Sequence, residues 1–123
     1  MHVFVYGSLK KGFGNHRCLE GATFVGPGIL DNAKMLNLGA FPGIIPSPTG
    51  KIFGEVYKIT PEILARLDRL EGHPNFYCRQ VASIFADFEE TIPQFESWVY
   101  FLSKDSAEHY QEICESIPSG QWK

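Results

Sequence analysis

The sequence predicts an α+β fold, a small single domain in which a mixed, curved or barrel-like sheet is flanked by helices. Runs of β-branched and aromatic residues recur along the 123 residues, which is typical of strands. Glycines interrupt these runs at Gly26, Gly28 and Gly54, and a glycine inside a strand marks a bulge or a bend. No repeat, low-complexity tract or linker divides the chain, so we expect residues 1–123 to form one domain.

Composition excludes several classes of function. The 11 Lys and Arg residues are interspersed with 14 Asp and Glu residues for a net charge of −3, so we expect neither a nucleic-acid nor a membrane partner. The sequence contains no run of 18 apolar residues and no signal segment, which predicts a cytoplasmic protein. Cys18, Cys78 and Cys114 form no C-x-x-C pair, so we expect no disulfide and no metal. No pattern predicts the oligomeric state.

The first predicted element is a buried strand, Val3 to Tyr6, which ends abruptly at Gly7. Glycine permits backbone conformations closed to other residues, so the N–H groups of Gly7, Ser8 and Leu9 can turn together toward a small anionic or carbonyl-bearing group. The alternative is an ordinary tight turn, which a strand followed by Gly-Ser forms equally well. The loop is therefore a candidate binding site.

Two familiar glycine motifs do not fit this loop. A phosphate-binding loop requires Lys and Ser or Thr after its second glycine, but Phe13 and Gly14 follow Gly12. A nucleophile elbow requires the pattern G-x-S-x-G, whereas Gly7 directly precedes Ser8. Ser8 is therefore a poor candidate for a nucleophile.

Three short elements and a loop are predicted next. Asn15 can cap a helical turn that ends near Glu20 and brings His16 and Arg17 close to the glycine loop. Residues 22–30 predict a bent strand and residues 34–38 a second, short one. Residues 41–48 contain three prolines, so we expect a rigid loop that either passes a pocket or simply covers the core.

The second half alternates between strands and helices. Residues 52–59 predict a strand, and Thr60-Pro61 begins a helix that ends at Gly72. Residues 76–85 and 95–102 predict a hairpin whose connection contains the acidic segment 87–90 and a proline at position 93. A last helix is predicted over residues 106–116, with a capping box and an apolar stripe, before an irregular tail. The box residues are Asp105 and Glu108, and the stripe residues are Tyr110, Ile113, Cys114 and Ile117.

Glu71 is out of place on its helix. At about 100° per residue it falls within the apolar stripe, while Arg66 and Arg69 project to the opposite side. The stripe residues are Ile63, Leu64, Leu67 and Leu70. An apolar environment and the negative end of the helix both raise the pKa of Glu71 from about 4.3 toward neutrality, which suits a group that accepts and returns a proton. The alternative is that Glu71 lies in water beyond the last turn.

Two other assignments remain open, one for the acid/base and one for a nucleophile. Asp68 lies at the edge of the stripe and is the second candidate for the acid/base, although it can also pair locally. Cys78 with His73 or His16 would make a nucleophile pair, but a buried structural cysteine is the commoner arrangement.

Four motifs together resemble the gamma-glutamylcyclotransferase-like family, with the greatest similarity to its gamma-glutamylamine cyclotransferase branch. They are Val3-Phe4-Val5-Tyr6-Gly7-Ser8-Leu9-Lys10-Lys11-Gly12, Asn15-His16, Gly54-Glu55-Val56-Tyr57, and residues 67–79 with Leu67-Asp68-Arg69-Leu70-Glu71-Gly72 at their start. The resemblance covers residues 3–102, and Ser8 stands where the branch often has Thr.

This resemblance implies a small mixed barrel and a cofactor-free enzyme that releases 5-oxoproline and a free amine from gamma-glutamyl compounds. It implies that Glu71 is the catalytic acid/base and that the loop Tyr6-Gly7-Ser8-Leu9 binds the glutamyl group of a small-molecule substrate. Tyr77 and Tyr100 are candidate pocket residues, or ordinary strand aromatics. The alternatives are a non-catalytic binding module on the same fold and an enzyme that removes gamma-glutamyl groups from a carrier-bound intermediate.

Overall fold

A computed structural model describes residues 1–86 and 94–123. Five strands form a closed barrel, and two helices lie against it, which confirms the predicted α+β class. The strands are β1 (His2–Val5), β2 (Thr23–Asn37), β3 (Pro42–Lys58), β4 (Tyr77–Ala86) and β5 (Gln94–Leu102), and the helices are α1 (Pro61–Glu71) and α2 (Lys104–Ile113). Around the barrel the strand order is β1-β3-β2-β4-β5, and β1 closes it by pairing in parallel with β5.

Strands β2 and β3 are longer than predicted. The two strands predicted over residues 22–30 and 34–38 are parts of the single strand β2, which is bent by irregular pairing between Asp31 and Ala33. The loop predicted over residues 41–48 is wrong, because these residues begin β3 and pair with β2 from Pro42 to Pro46. On its other side β3 pairs with β1, but only over residues 55–58. The first half of β3 therefore has a partner strand on one side only. Such a strand tolerates proline, because about half of its N–H groups point away from the partner and form no hydrogen bond in the sheet.

Gly28 and Gly54 occupy positions where the barrel strands approach other parts of the chain. They lie opposite each other in the β2–β3 ladder. A Cβ at Gly54 would lie 2.3 Å from the carbonyl oxygen of Val5, and one at Gly28 would lie 2.7 Å from a methyl carbon of Ile84. Both glycines therefore mark close approaches within the sheet, whereas the register shifts of this ladder lie elsewhere, at Phe24/Gly26 and Asp31/Ala33.

Helix α1 has the predicted boundaries. The Thr60 hydroxyl accepts a hydrogen bond from the Ile63 N–H at 3.3 Å, Pro61 occupies the first turn, and Gly72 ends the helix with a φ of 65°. The buried face consists of Ile63, Leu64 and Leu67. Leu70, predicted to complete this face, is instead 41% exposed.

The hairpin of β4 and β5 is confirmed, with Tyr77 opposite Leu102 and Phe85 opposite Gln94. The acidic segment 87–90 and the proline at position 93 lie outside the described residues.

The last helix begins earlier than predicted. Ser103 caps α2 by accepting a hydrogen bond from the Ser106 N–H at 3.2 Å, so the predicted capping box of Asp105 and Glu108 is wrong. The helix ends at Ile113, which is 66% exposed, and of the predicted stripe Tyr110 and Cys114 are partly buried against the core cluster that includes α1. The chain then turns toward the barrel, where the Ile117 N–H donates to the Met35 carbonyl oxygen at 2.8 Å.

Successive residues from Val3 to Tyr6 contribute to two different hydrophobic clusters. Val3 and Val5 belong to a cluster that includes the buried face of α1, whereas Phe4 and Tyr6 belong to a cluster formed with other strands. Side chains alternate across a strand, so the second cluster fills the barrel and the first packs outside it.

Neither helix in residues 1–86 and 94–123 has the length and the apolar character that a membrane-spanning helix needs.

Candidate active site

A pocket of about 390 Å³ lies between the glycine loop after β1 and the C-terminal end of α1. The start of β3 and residues of β4 and β5 complete its wall. The structure brings all seven of the predicted site residues to this pocket, namely Tyr6, Gly7, Ser8, Leu9, Glu71, Tyr77 and Tyr100. Residues far apart in the sequence therefore share one cavity, as a small-molecule site requires.

Gly7, Ser8 and Leu9 of the glycine loop line the pocket. Within the part of the chain that the structure describes, the N–H groups of these three residues donate no hydrogen bond to a backbone acceptor. The carbonyl groups of Gly7 and Ser8 instead accept hydrogen bonds from the N–H groups of Lys10 and Asn15, each at 3.0 Å. The loop thus uses its carbonyls internally and leaves its N–H groups for a ligand.

Side chains hold this loop in place. The amide of Asn15 donates to the Ser8 hydroxyl at 2.9 Å, and Nδ1 of His16 lies 2.9 Å from the Leu9 carbonyl oxygen. The predicted helical turn is present at His16–Leu19 with Asn15 in the N-cap position, but the Asn15 side chain makes no capping hydrogen bond, so only that part of the prediction is wrong. Its amide is used by the loop, and this contact brings His16 to the loop as expected.

Gly7 is required for a reason other than the predicted one. Its φ angle lies outside the left-handed region, so an unusual backbone conformation does not explain it. A Cβ at this position would lie 2.8 Å from Cγ of the rigid Pro42 ring. Glycine therefore allows the loop and the first residue of β3 to form adjacent parts of the pocket wall.

The carboxyl group of Glu71 faces the pocket at the end of α1. Among the described residues it makes no hydrogen bond and no ion pair. The residue is partly exposed because the pocket opens onto it, but surrounding protein removes enough water that burial raises the pKa of Glu71 to about 7. A carboxyl with this pKa exchanges its proton readily near neutral pH.

Asp68, the second candidate, has a different environment. Its Oδ1 accepts hydrogen bonds from Nε of Arg79 at 2.8 Å and from the hydroxyl of Tyr100 at 2.7 Å. Burial acts to raise the pKa of Asp68, but these two hydrogen bonds and the charge of Arg79 outweigh it and hold the pKa below its ordinary value. Asp68 therefore stays ionised and is not suited to carry a proton.

The three pocket tyrosines have their hydroxyl groups engaged by the protein. Tyr6 donates to the carbonyl oxygen of Tyr100 and Tyr77 donates to that of Pro42, each at 2.5 Å, while Tyr100 donates to Asp68. Burial raises the pKa of all three tyrosines, so they remain neutral. Their rings form a rigid wall.

The cysteine–histidine alternative finds no support. Cys78 does not line the pocket, and Nδ1 of His73 already accepts the Arg79 N–H at 3.2 Å. Across residues 1–86 and 94–123, no group of three or more His, Cys, Asp or Glu side chains is placed to hold a metal ion.

Several pocket residues are not among the predicted site residues. Phe41, Pro42 and Phe76 line the pocket, although the sequence predicts a loop at the first two and a strand at the third. Arg69 also lines the pocket, whereas helix periodicity predicts that it projects away from Glu71. For Phe41 and Pro42 the available signal is the proline-rich stretch 41–48, because one of its two interpretations is a loop that passes a pocket.

Comparisons with known proteins agree with this architecture. Residues 3–123 match the family model described as gamma-glutamyl cyclotransferase, AIG2-like, so the match extends beyond residue 102, where the resemblance found in the sequence ends. A protein of Methanocaldococcus jannaschii that is provisionally named a gamma-glutamylcyclotransferase is 37% identical over 125 residues, which cover 99% of this chain and 95% of the relative. The gamma-glutamylcyclotransferase family protein YtfP of Escherichia coli K12 is 32% identical over 122 residues, which cover 99% and 96%.

Solved structures share the fold. The crystal structure of an AIG2-like protein from Mus musculus superposes with a TM-score of 0.85 over 99% of this chain and 87% of that one, at 23% identity. The solution structure of E. coli ytfP gives a TM-score of 0.70 at 32% identity, covering 99% of this chain and 96% of that one. The chain described here belongs to the gamma-glutamyl cyclotransferase, AIG2-like family and is a cyclotransferase-like enzyme.

Proposed function

We propose that this chain converts gamma-glutamyl amines or small gamma-glutamyl peptides into 5-oxoproline and a free amine, with Glu71 as the single acid/base and no cofactor. The observation that carries the proposal is the position of the Glu71 carboxyl. Among residues 1–86 and 94–123 it has no hydrogen-bond or ion-pair partner, burial raises its pKa to about 7, and it shares the pocket with Gly7, Ser8 and Leu9, whose N–H groups donate to no backbone acceptor in those residues.

The reaction needs little from the protein because the substrate contains its own nucleophile. The α-amine attacks the γ-carbonyl carbon, a new C–N bond closes a five-membered ring, and the bond from that carbon to the departing amine breaks. An intramolecular attack of this kind gains from proximity, provided that the reacting atoms are held close. A protein nucleophile is therefore unnecessary. The described pocket residues include no cysteine, and the hydroxyl of their one serine, Ser8, accepts a hydrogen bond from the Asn15 amide.

The protons balance through Glu71. The α-ammonium loses two protons as it becomes the N–H of the lactam, and the departing nitrogen gains two as it becomes an ammonium ion. Ionised Glu71 takes the first proton and so produces the nucleophilic amine, and protonated Glu71 delivers it to the departing nitrogen. The second proton leaves the ring nitrogen as the intermediate collapses and reaches the free amine through Glu71 or solvent.

The glycine loop is suited to the charged end of the substrate. The N–H groups of Gly7, Ser8 and Leu9 form a compact set of donors that suits the α-carboxylate and the oxyanion that develops on the γ-carbonyl. Preorganised donors lower the barrier because they need no reorientation as charge develops. In the proposal the rings of Tyr77 and Tyr100 enclose the glutamyl chain.

The departing amine would occupy the open side of the pocket. Phe41 and Leu70 line the pocket and are 38% and 41% exposed, and Phe76 lies beside Phe41. These apolar groups suit the carbon chain of an amine or of an amino-acid side chain. We therefore include gamma-glutamyl derivatives of lysine side chains among the candidate substrates.

A direct test compares 5-oxoproline release by the wild type, Glu71→Gln and Glu62→Gln, measured by mass spectrometry with a panel of gamma-glutamyl amines and dipeptides. Glutamine is nearly isosteric but cannot shuttle the proton, so we expect Glu71→Gln to lose about 100-fold or more in kcat. Glu62 is exposed in the first turn of the same helix, and its variant serves as the control. Wild-type rates in Glu71→Gln would remove Glu71 from the mechanism, and no release by a folded wild type would contradict the proposed reaction.

A further inference from the structure

Asp68 connects the helix that carries Glu71 to two strands of the barrel. The two acidic residues are three positions apart in the last two turns of α1, but only Glu71 lines the pocket. Oδ1 of Asp68 receives hydrogen bonds from Arg79 in β4 and from Tyr100 in β5. The Asp68 and Arg79 side chains are only about one-fifth exposed, at 22% and 21%, so this ion pair is shielded far more than a surface pair.

The partners of Asp68 are themselves firmly held. Arg79 and Tyr100 lie directly opposite each other in the β4–β5 ladder. The guanidinium of Arg79 also stacks over the Trp98 ring, with its central carbon 4.2 Å from the ring centre. The contact from Asp68 therefore fixes the end of α1 to a rigid part of the barrel.

Tyr100 extends this connection to the other side of the pocket. Its hydroxyl donates to Asp68, and its backbone carbonyl accepts a hydrogen bond from the hydroxyl of Tyr6, which directly precedes Gly7. A continuous set of contacts thus runs from the helix of Glu71 through Asp68, Tyr100 and Tyr6 to Gly7. It joins the two walls between which the proposed substrate must fit.

We propose that Asp68 is a positioning residue that, through Tyr100, sets the distance between the Glu71 carboxyl and the glycine loop. This inference rests on the proposed function. A general base must approach the reacting nitrogen to within hydrogen-bond distance, and a misplacement of about 1 Å lowers a rate by about 100-fold. Glu71 is the last residue of its helix, where intrahelical hydrogen bonds restrain the chain least. The contact from Asp68 to the barrel therefore limits the movement of this helix end.

The kinetic test uses Asp68→Ala, Asp68→Asn and Tyr100→Phe, which removes only the hydroxyl and keeps both the ring and the backbone carbonyl. We expect Asp68→Ala and Tyr100→Phe each to lower kcat by about 10- to 100-fold with KM changed by less than about threefold. Because both variants break the same contact, the double variant should lose little more than either single one. Asp68→Asn retains an acceptor oxygen and should recover part of the lost rate.

A matched control is the exposed ion pair of Asp31 and Lys51, whose charged atoms are 3.5 Å apart on strands β2 and β3. Asp31→Asn should leave kcat and KM unchanged. Wild-type kcat in Tyr100→Phe, a change confined to KM, or additive losses in the double variant would each overturn the positioning role. Because Tyr100→Phe alters no charge and removes only one oxygen atom, it decides the question even if Asp68→Ala fails to fold.

A second readout does not depend on turnover. The Glu71 carboxyl can be titrated by ¹³C NMR in the wild type and in Tyr100→Phe. Release of the helix end would admit water to Glu71, so we expect its pKa to fall from about 7 toward the ordinary range. An unchanged titration would overturn the inference. A wild type without 5-oxoproline release would contradict the proposed function, and this titration would still test the anchor.

Discussion

The burial of Glu71 makes the stability of this protein depend on pH in a way that a single substitution removes. Its pKa is raised from 4.5 to about 7 in the folded chain, so the folded state retains this proton where the unfolded state has lost it. Its contribution to stability is therefore fully present below about pH 4.5, declines as the pH rises, and is lost above about pH 7. Glu71→Gln has no proton to lose and should not show this decline.

The size of the effect follows from the two pKa values. Each tenfold change in a protonation equilibrium is worth about 1.4 kcal/mol, so ionised Glu71 lowers the unfolding free energy by about 3 kcal/mol at pH 8.5. At pH 5 the same residue lowers the unfolding free energy by only about 1 kcal/mol. The stability difference between Glu71→Gln and the wild type should therefore be about 2 kcal/mol larger at pH 8.5 than at pH 5, in favour of the variant.

Urea denaturation at the two pH values measures this difference. With a typical dependence on urea, about 2 kcal/mol corresponds to a midpoint shift of about 1 M. Glu62→Gln is the control, because an exposed carboxyl in the first turn of the same helix should give the same small effect at both pH values. A difference between Glu71→Gln and the wild type that does not change with pH would show that Glu71 is not buried as described.

Three further predictions concern activity and the helix cap. The value of kcat/KM should rise with pH through a transition near 7, because only ionised Glu71 can accept the first proton, and a profile that is flat from pH 5 to 8 would contradict this role. Gly7→Ala should keep the fold but lose substrate binding, as measured by calorimetry, because its Cβ would meet the Pro42 ring at 2.8 Å. The control Gly14→Ala has no atom within 4 Å of its added Cβ and should bind normally. Thr60→Ala should lower the unfolding free energy by about 1 kcal/mol, since it removes the hydroxyl that caps α1, and an unchanged urea midpoint would refute the cap.

Most of the fold could be predicted because its signals are local. The hydroxyl of Thr60, the proline after it and Gly72 define α1 without reference to other elements. The strand with which a segment pairs depends on distant parts of the chain, and this explains why the loop prediction for residues 41–48 is wrong. Their prolines argue against a central strand, and only the topology shows that this half of β3 has a partner on one side.

The candidate site was predictable to the extent that helix periodicity reports burial. Helix periodicity places Glu71 on the apolar face, and burial in the structure raises its pKa in the predicted direction, although the negative helix end that was also expected to contribute is not among the causes. The same periodicity leaves Asp68 ambiguous, because Arg79 and Tyr100 come from strands that periodicity within α1 does not describe. The reason for Gly7 was also beyond local analysis, since the ring that it accommodates is 35 residues away at Pro42.

The alternatives to catalysis make distinct predictions. A binding module would bind gamma-glutamyl compounds in calorimetry without releasing any product. An enzyme that acts on a carrier-bound intermediate would be inactive on free gamma-glutamyl amines and active on the carrier conjugate.

The central claim is that ring closure occurs within the substrate and that water takes no part in it. The most direct test is to incubate the protein with a gamma-glutamyl amine in H₂¹⁸O and to analyse the products by mass spectrometry. Intramolecular ring closure predicts 5-oxoproline without ¹⁸O, because its carbonyl oxygen comes from the substrate, and loss of this product in Glu71→Gln. Free glutamate that carries ¹⁸O in its γ-carboxyl group would contradict it, because that product requires attack by water.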